Sequence, residues 1–278
     1  MKHCFTIVFV TIFCASCAII DNFDEEPMFL EISEATFNPP VGIDPAHDIR
    51  DVWVFADGFN VGIFELPARV PVLGTDSVDI NLLPGIRNNG LSNSSRDFPF
   101  YKPTVVTLPF EASSVEEIEL ETSYLDDILF SLNEDFESSN VFTADIDNDT
   151  STFLQVVDES TFGSKAGRID VNTATSRFQI ATSRLYPTDV LGTSEVYLEM
   201  NHRNEVGFAI GIIGHQDGFV ETIGVISLFP TDEWRKLYLD LSPHINAGLY
   251  DNYQILIAGS GLVETGQIWL DNLRVVHL

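Results

Sequence analysis

The sequence predicts an all-β chain made of two successive β-sandwich modules. Three observations carry that expectation. Over most of the 278 residues, apolar and polar side chains alternate with a period of two in short runs, the pattern of half-buried strands. The runs are separated by Gly, Pro, Asn and Asp, residues that suit turns. Hydrophobic residues make up 45% and aromatic residues 11%, with 21 phenylalanines, enough to fill a large core.

Residues 1–16 read as an export signal. Lys2 gives a short positive start, and Phe5 to Phe13 form an apolar run too short to span a bilayer as a helix. The run ends at "CASC", which is Cys14-Ala15-Ser16-Cys17. Small residues at 15 and 16 before a cysteine resemble a bacterial lipobox, which implies cleavage before Cys17 and acylation of that residue. An ordinary secretory signal that happens to precede a cysteine is the alternative. The three cysteines are Cys4, Cys14 and Cys17, so the processed chain keeps one thiol and has no internal disulfide. Two or more acyl chains give stable membrane anchoring where one does not. Residues 17–26 are an acidic tether carrying Asp21, Asp24, Glu25 and Glu26. It reads as a solvated spacer. It also resembles the acidic export signal of surface lipoproteins in Bacteroidetes-type bacteria, which implies an outer-membrane, cell-surface location.

Residues 27–122 are expected to form the first, small sandwich. "MFLEISEATF" alternates as an opening strand. "DIRDVWVFADGFNVGIFEL" reads as a hairpin, because Asp57-Gly58 tolerates the positive φ angles of a tight turn. "SVDINLLPGI", "PTVVTLPF" and "EEIELETS" supply further strands, with prolines at their ends or edges. The Asp-Gly tip, a second glycine, then a proline and a later glycine resemble PEGA-like and other small Ig-like sandwich domains of bacterial envelope proteins. Between the modules, "SYLDDILFSL" (Ser123 to Leu132) offers the best helical periodicity, a short connecting helix.

Residues 133–278 are expected to form a jelly-roll sandwich. "NVFTAD", "STFLQVVD", "GRIDV", "RFQIAT", "EVYLEMNH", "VGFAIGIIG", "ETIGVISLF", "WRKLYLDLS", "YQILIAGS" and "QIWLDNLRVV" are strand candidates between polar turns, enough for the roughly eight strands of that fold. Asp217-Gly218 is a second hairpin tip. "NEDFESS", "EWRKLYLDLS" and "GQIWLDNLRVVHL" together resemble carbohydrate-binding modules and galactose-binding-like jelly rolls. That resemblance implies a structural calcium between an acid near the first strand and the acid of the last, here Glu137 and Asp271. Calcium takes hard oxygen ligands, and an acid within a strand needs a cation or hydrogen bonds. The alternative is that Asp271 caps the strand or faces solvent while Asn272 takes the buried side.

Charge narrows the function classes. With 42 acids against 14 bases, the net charge of −28 repels nucleic acid and anionic headgroups. No zinc, nucleophile-elbow or phosphate-loop motif appears. His47, His202, His215, His244 and His277 show no ligand spacing. "DIDNDTST", with Asp145, Asp147 and Asp149, opens like a calcium loop, but Thr150 and Val156 break the pattern. Glu195 and Glu199 in "EVYLEM" are poorly spaced for glycosidase work. Gly207, Gly211 and Gly214 read as packing or bulge glycines. Trp53 reads as core, and Trp234 and Trp269 as sandwich packing or sugar-stacking platforms. The expectation is a lipid-anchored envelope protein with a non-catalytic role, binding a glycan or an envelope protein. The alternative is an extracellular polysaccharide hydrolase or lyase on a jelly-roll scaffold.

Overall fold

A computed structural model describes residues 26–172, 177–191, 195–245, 250–259 and 265–278. The export signal, Cys17 and the tether before Glu26 lie outside the described residues. Among the described residues no helix is long and apolar enough to cross a membrane.

The first strands are β1 (Met28–Ile32), β2 (Thr36–Phe37), β3 (Ile49–Ala56), β4 (Phe59–Glu65), β5 (Ala68–Val72), β6 (Ser77–Arg87), β7 (Ser95–Asp97), β8 (Thr104–Pro109), β9 (Val115–Ile118) and β10 (Glu121–Thr122). They pair as β5-β1-β9, as β10-β2, and as β4-β3-β6-β7 with β8 also on β6. The Asp57-Gly58 hairpin forms as the sequence indicates, with φ of 50° and 78°. The opening run divides into β1 and β2 instead of making one strand. Alternation puts Leu30, Val52, Val54, Ile80 and Leu82 into the core at 0% exposure. Trp53 stands between Val52 and Val54, so it points to the opposite side of the sheet. The core placement read for it from the sequence is corrected.

The remaining strands are β11 (Leu129–Glu134), β12 (Ala144–Asp145), β13 (Leu154–Val157), β14 (Ala166–Val171), β15 (Phe178–Ala181), β16 (Tyr186–Pro187), β17 (Tyr197–Asn204), β18 (Phe208–Gln216), β19 (Phe219–Leu228), β20 (Thr231–Asp240), β21 (Asn252–Gly259) and β22 (Gly266–His277). One antiparallel sheet runs β13-β14-β22-β17-β20 with β11 on β22; the other runs β12-β15-β21-β18-β19 with β16 on β21. Leu198, Met200, Ile212, Ile255, Leu270 and Val275 are among the residues filling the space between them. This is a jelly-roll sandwich. The connecting helix does not form: Leu129–Glu134 is a strand, antiparallel to β22 from Leu129↔His277 to Glu134↔Leu273. So short a helix is marginal by itself, and a long-range ladder outweighs the weak local pattern.

The two sets of strands share a core. Tyr197, Tyr238 and Val276, on the outward side of the β22 sheet, belong to the apolar cluster of the first set. Phe98 meets the rings of Tyr197 and Tyr238 edge-on at 5.3 and 5.0 Å. The Asn89 amide donates to the Tyr238 carbonyl at 2.8 Å, and the Asp240 amide donates to Asn89 Oδ1 at 2.9 Å.

Candidate functional site

The outward side of the β22 sheet divides in two. On β17, Leu198 and Met200 enter the jelly-roll core, so Tyr197, Glu199, Asn201 and Arg203 face away from it. The first module covers the end near Tyr197 and Glu199. At the other end a row crosses four strands: Trp234 on β20, Arg203 on β17, Trp269 on β22 and Arg168 on β14. Trp269 is registered with both Arg203 and Arg168. The Arg203 guanidinium carbon lies 4.0 Å from the centroid of the Trp269 ring and 5.8 Å from that of Trp234. Phe162 meets Trp234 edge-on at 5.2 Å.

The segment 158–165 folds onto this row, and acids hold it there. Glu159 accepts from Trp269 Nε1 at 2.7 Å and from Arg168 Nη1 at 2.6 Å. Ser160 Oγ donates to Asp271 Oδ2 at 2.5 Å, while the Asn272 amide donates to Asp271 Oδ1 at 2.7 Å. Glu137 accepts from the Ser164 amide at 2.6 Å, the Lys165 amide at 2.8 Å and Ser164 Oγ at 2.5 Å. Glu137, Asp271, Trp234 and Trp269, singled out from sequence, therefore surround one loop. Glu137 and Asp271 grip opposite ends of it. Burial lifts the Asp271 carboxyl to about 6, against the pull of the Ser160 hydrogen bond. The Ser164 hydrogen bonds hold Glu137 below the usual carboxylate range. Among the described residues, no three His, Cys, Asp or Glu side chains come together as a metal-ligating group.

Arg203 is the residue that sequence reasoning missed. Its Nε is buried without a hydrogen-bond partner, as is Trp234 Nε1. No ion pair among the described residues includes Arg203. The only local signal is its place in the outward-facing series on β17. The indoles on either side come from distant strands, so no sequence spacing could reveal the stack.

Other candidates have structural partners. Glu195 pairs with Arg96, and Glu199 pairs with Lys236 at the junction of the modules. Asp149 accepts from the Ser151 amide at 3.0 Å within its own turn. His202 Nδ1 bonds to Asn204 Oδ1 and His215 Nε2 to Gln254 Oε1, each at 2.8 Å. On the outward side of the β21 sheet, Ala181, Ile213 and Leu256 form a small closed cluster. Gln254 there bonds both His215 and the Thr182 carbonyl, so its polar atoms are satisfied. A groove of about 330 Å³ lies against Phe55, Asn81, Leu83 and Val105 on the first module.

No family model and no curated protein matches this chain. Solved structures similar to it include a family 30 carbohydrate-binding module of a Clostridium thermocellum cellulosomal cellulase. It is 14% identical and aligns over 53% of this chain and 96% of that one, with a TM-score of 0.39. A xylan-binding CBM22-1 domain from Paenibacillus barcinonensis aligns at 15% identity, over 53% of this chain and 93% of that one, at 0.39. An exo-β-agarase aligns at 13% identity, over 53% of this chain but 24% of that one, at 0.38. At such identities and scores, these likenesses assign neither a ligand nor a reaction.

Proposed function

We propose that this is a lipid-anchored cell-envelope protein that binds a glycan without transforming it, using the row Trp234–Arg203–Trp269. One observation carries the reading: a guanidinium held between two indoles, with no acidic partner among the described residues. Indole faces take the C–H faces of sugar rings, and N–H groups take hydroxyl oxygens. A hydrolase or lyase would need convergent acid and base groups beside that row. The acids bonded to this row and its loop serve structure instead, Glu159 holding Trp269 and Arg168, and Asp271 holding Ser160. Acylated Cys17 would fix the protein to the outer membrane at the cell surface. A protein of the envelope is the second class of partner. A structural calcium at Glu137 and Asp271 would replace their hydroxyl or amide donors and brace segment 158–165.

The test is affinity electrophoresis of the full chain in detergent through gels containing bacterial, plant or algal polysaccharides. Retardation by one glycan, lost in Trp234→Ala and without new reducing ends or unsaturated products, is the expected result. Turnover abolished by replacing a single carboxylate would overturn the reading.

A further inference from the structure

Arg203 is set apart by the two indoles it contacts. With 42 acids to 14 bases, about half of the basic side chains among the described residues have an acidic partner, and others, such as Arg274, bond asparagines instead. Arg50 pairs with Asp48, Arg87 with Asp51, Arg96 with Glu195, Arg168 with Glu159 and Lys236 with Glu199. Among the described residues Arg203 has two indoles and no carboxylate partner. Its Nε, like Trp234 Nε1, is buried without an acceptor, so only the outer Nη groups of the guanidinium are left to face a ligand.

We infer that the ligand of this row carries a carboxylate, as a hexuronic acid residue does, and that Arg203 binds it. The inference rests on the glycan-binding reading and narrows it to an acidic sugar. A guanidinium presents its N–H groups as a planar fork that matches a carboxylate in two parallel hydrogen bonds. The indoles already hold that fork in place, so little side-chain freedom is lost on binding. Trp234, which is only half-buried, also favours a sugar acid over a peptide carboxylate, because its indole offers a flat apolar wall to the C–H face of a pyranose ring, while buried Trp269 supports Arg203 from the other side. The net charge of −28 opposes dense polyanions. A glycan with spaced uronate residues suits the site best, and added salt should weaken the long-range repulsion.

Titration calorimetry on the full chain in detergent tests the inference. The probes are oligosaccharides of galacturonic, mannuronic and glucuronic acid, each beside its carboxyl-reduced, neutral counterpart, with an acidic peptide as a further arm. One uronate oligosaccharide should bind at least tenfold more tightly than its reduced form. Arg203→Gln should erase that preference in a variant that still unfolds cooperatively, and Arg203→Lys should keep part of it. Equal affinity for acidic and neutral forms would overturn the inference and leave glycan binding standing. A preference that survives Arg203→Gln, or an acidic peptide that binds as well as the sugar, would also overturn it. If no oligosaccharide binds, the glycan-binding reading fails and takes this inference with it. Trp234→Ala provides a second variant that removes a wall and leaves the fork, and it should weaken acidic and neutral forms alike.

Discussion

The Lys236 ammonium lies 2.9 Å from the Glu199 carboxylate where the two modules meet, with the two side chains 3% and 1% exposed. Tyr124, from the segment between the modules, donates its hydroxyl to the same carboxylate at 2.9 Å. Burial pulls the Lys236 pKa down, and Glu199 pulls it back up. Replacing Lys236 with Met strands a buried carboxylate, and breaking such a pair costs about 3–5 kcal/mol. Denaturant unfolding should show that loss in a single transition. Combining Lys236→Met with Glu199→Gln should recover most of it, because the uncompensated charge is gone. Two separated transitions in the unmodified protein would count against the shared core.

Asp271 should leave its mark on the pH dependence of stability. It is 2% exposed, and burial raises its carboxyl from 3.8 to about 6 in the folded protein. The folded form therefore holds this proton more tightly than the unfolded chain does. The group's contribution becomes less favourable as pH rises through that window, and the cost is fully present above about 6. Asp271→Asn should be more stable than the parent at neutral pH and lose that advantage on acidification. An advantage that persists unchanged at low pH would refute the assignment.

Calcium is proposed to act on the same carboxylate in the opposite sense. An ion at Glu137 and Asp271 would favour the ionised forms and raise the melting temperature at neutral pH. The gain should be small, since every carboxylate oxygen of the pair already accepts a protein hydrogen bond. Millimolar calcium added after chelation should raise the melting temperature less at acidic pH, and not at all in Asp271→Asn. A melting curve unmoved by either calcium or chelator removes the ion.

Cys17 is proposed to carry the lipid. Cells fed labelled fatty acid should yield labelled protein that enters the detergent phase on partitioning. Cys17→Ser should appear unlabelled, either in the aqueous phase or with its signal uncleaved. An unlabelled parent protein would sink the anchor.

Gly211 sits where β18 and β19 approach closely. A Cβ there would stand 2.5 Å from the Ile223 carbonyl oxygen, and backbone cannot yield as a flexible side chain can. Gly211→Ala should destabilise by about 1–3 kcal/mol. Thermal melts of the variant check it, and an unchanged midpoint would contradict the packing.

Much of the fold was legible because strands and tight turns are local. The tips at Asp57-Gly58 and Asp217-Gly218 adopt positive φ as those residues permit, and the alternation on β17 and β22 sorts inward from outward side chains. The segment 123–132 misled because its partner, β22, lies at the far end of the chain. Trp53 misled because both faces of β3 carry large apolar side chains, and alternation alone does not say which one is covered. At the site, the sequence pointed to Trp234, Trp269, Glu137 and Asp271. It could not show that segment 158–165 joins them, or that Arg203 stands between the indoles. Those relations exist only once β14, β17, β20 and β22 lie side by side.

The borrowed core limits how this protein can be inherited. A gene fragment for residues 27–122 would encode the first ten strands with Tyr197, Tyr238 and Val276 missing from their apolar cluster. It would present that gap to water as a sticky patch. Recombination can therefore move the two modules into a new protein only as a pair, and any descendant that keeps one without the other must first rebuild the face where they touched.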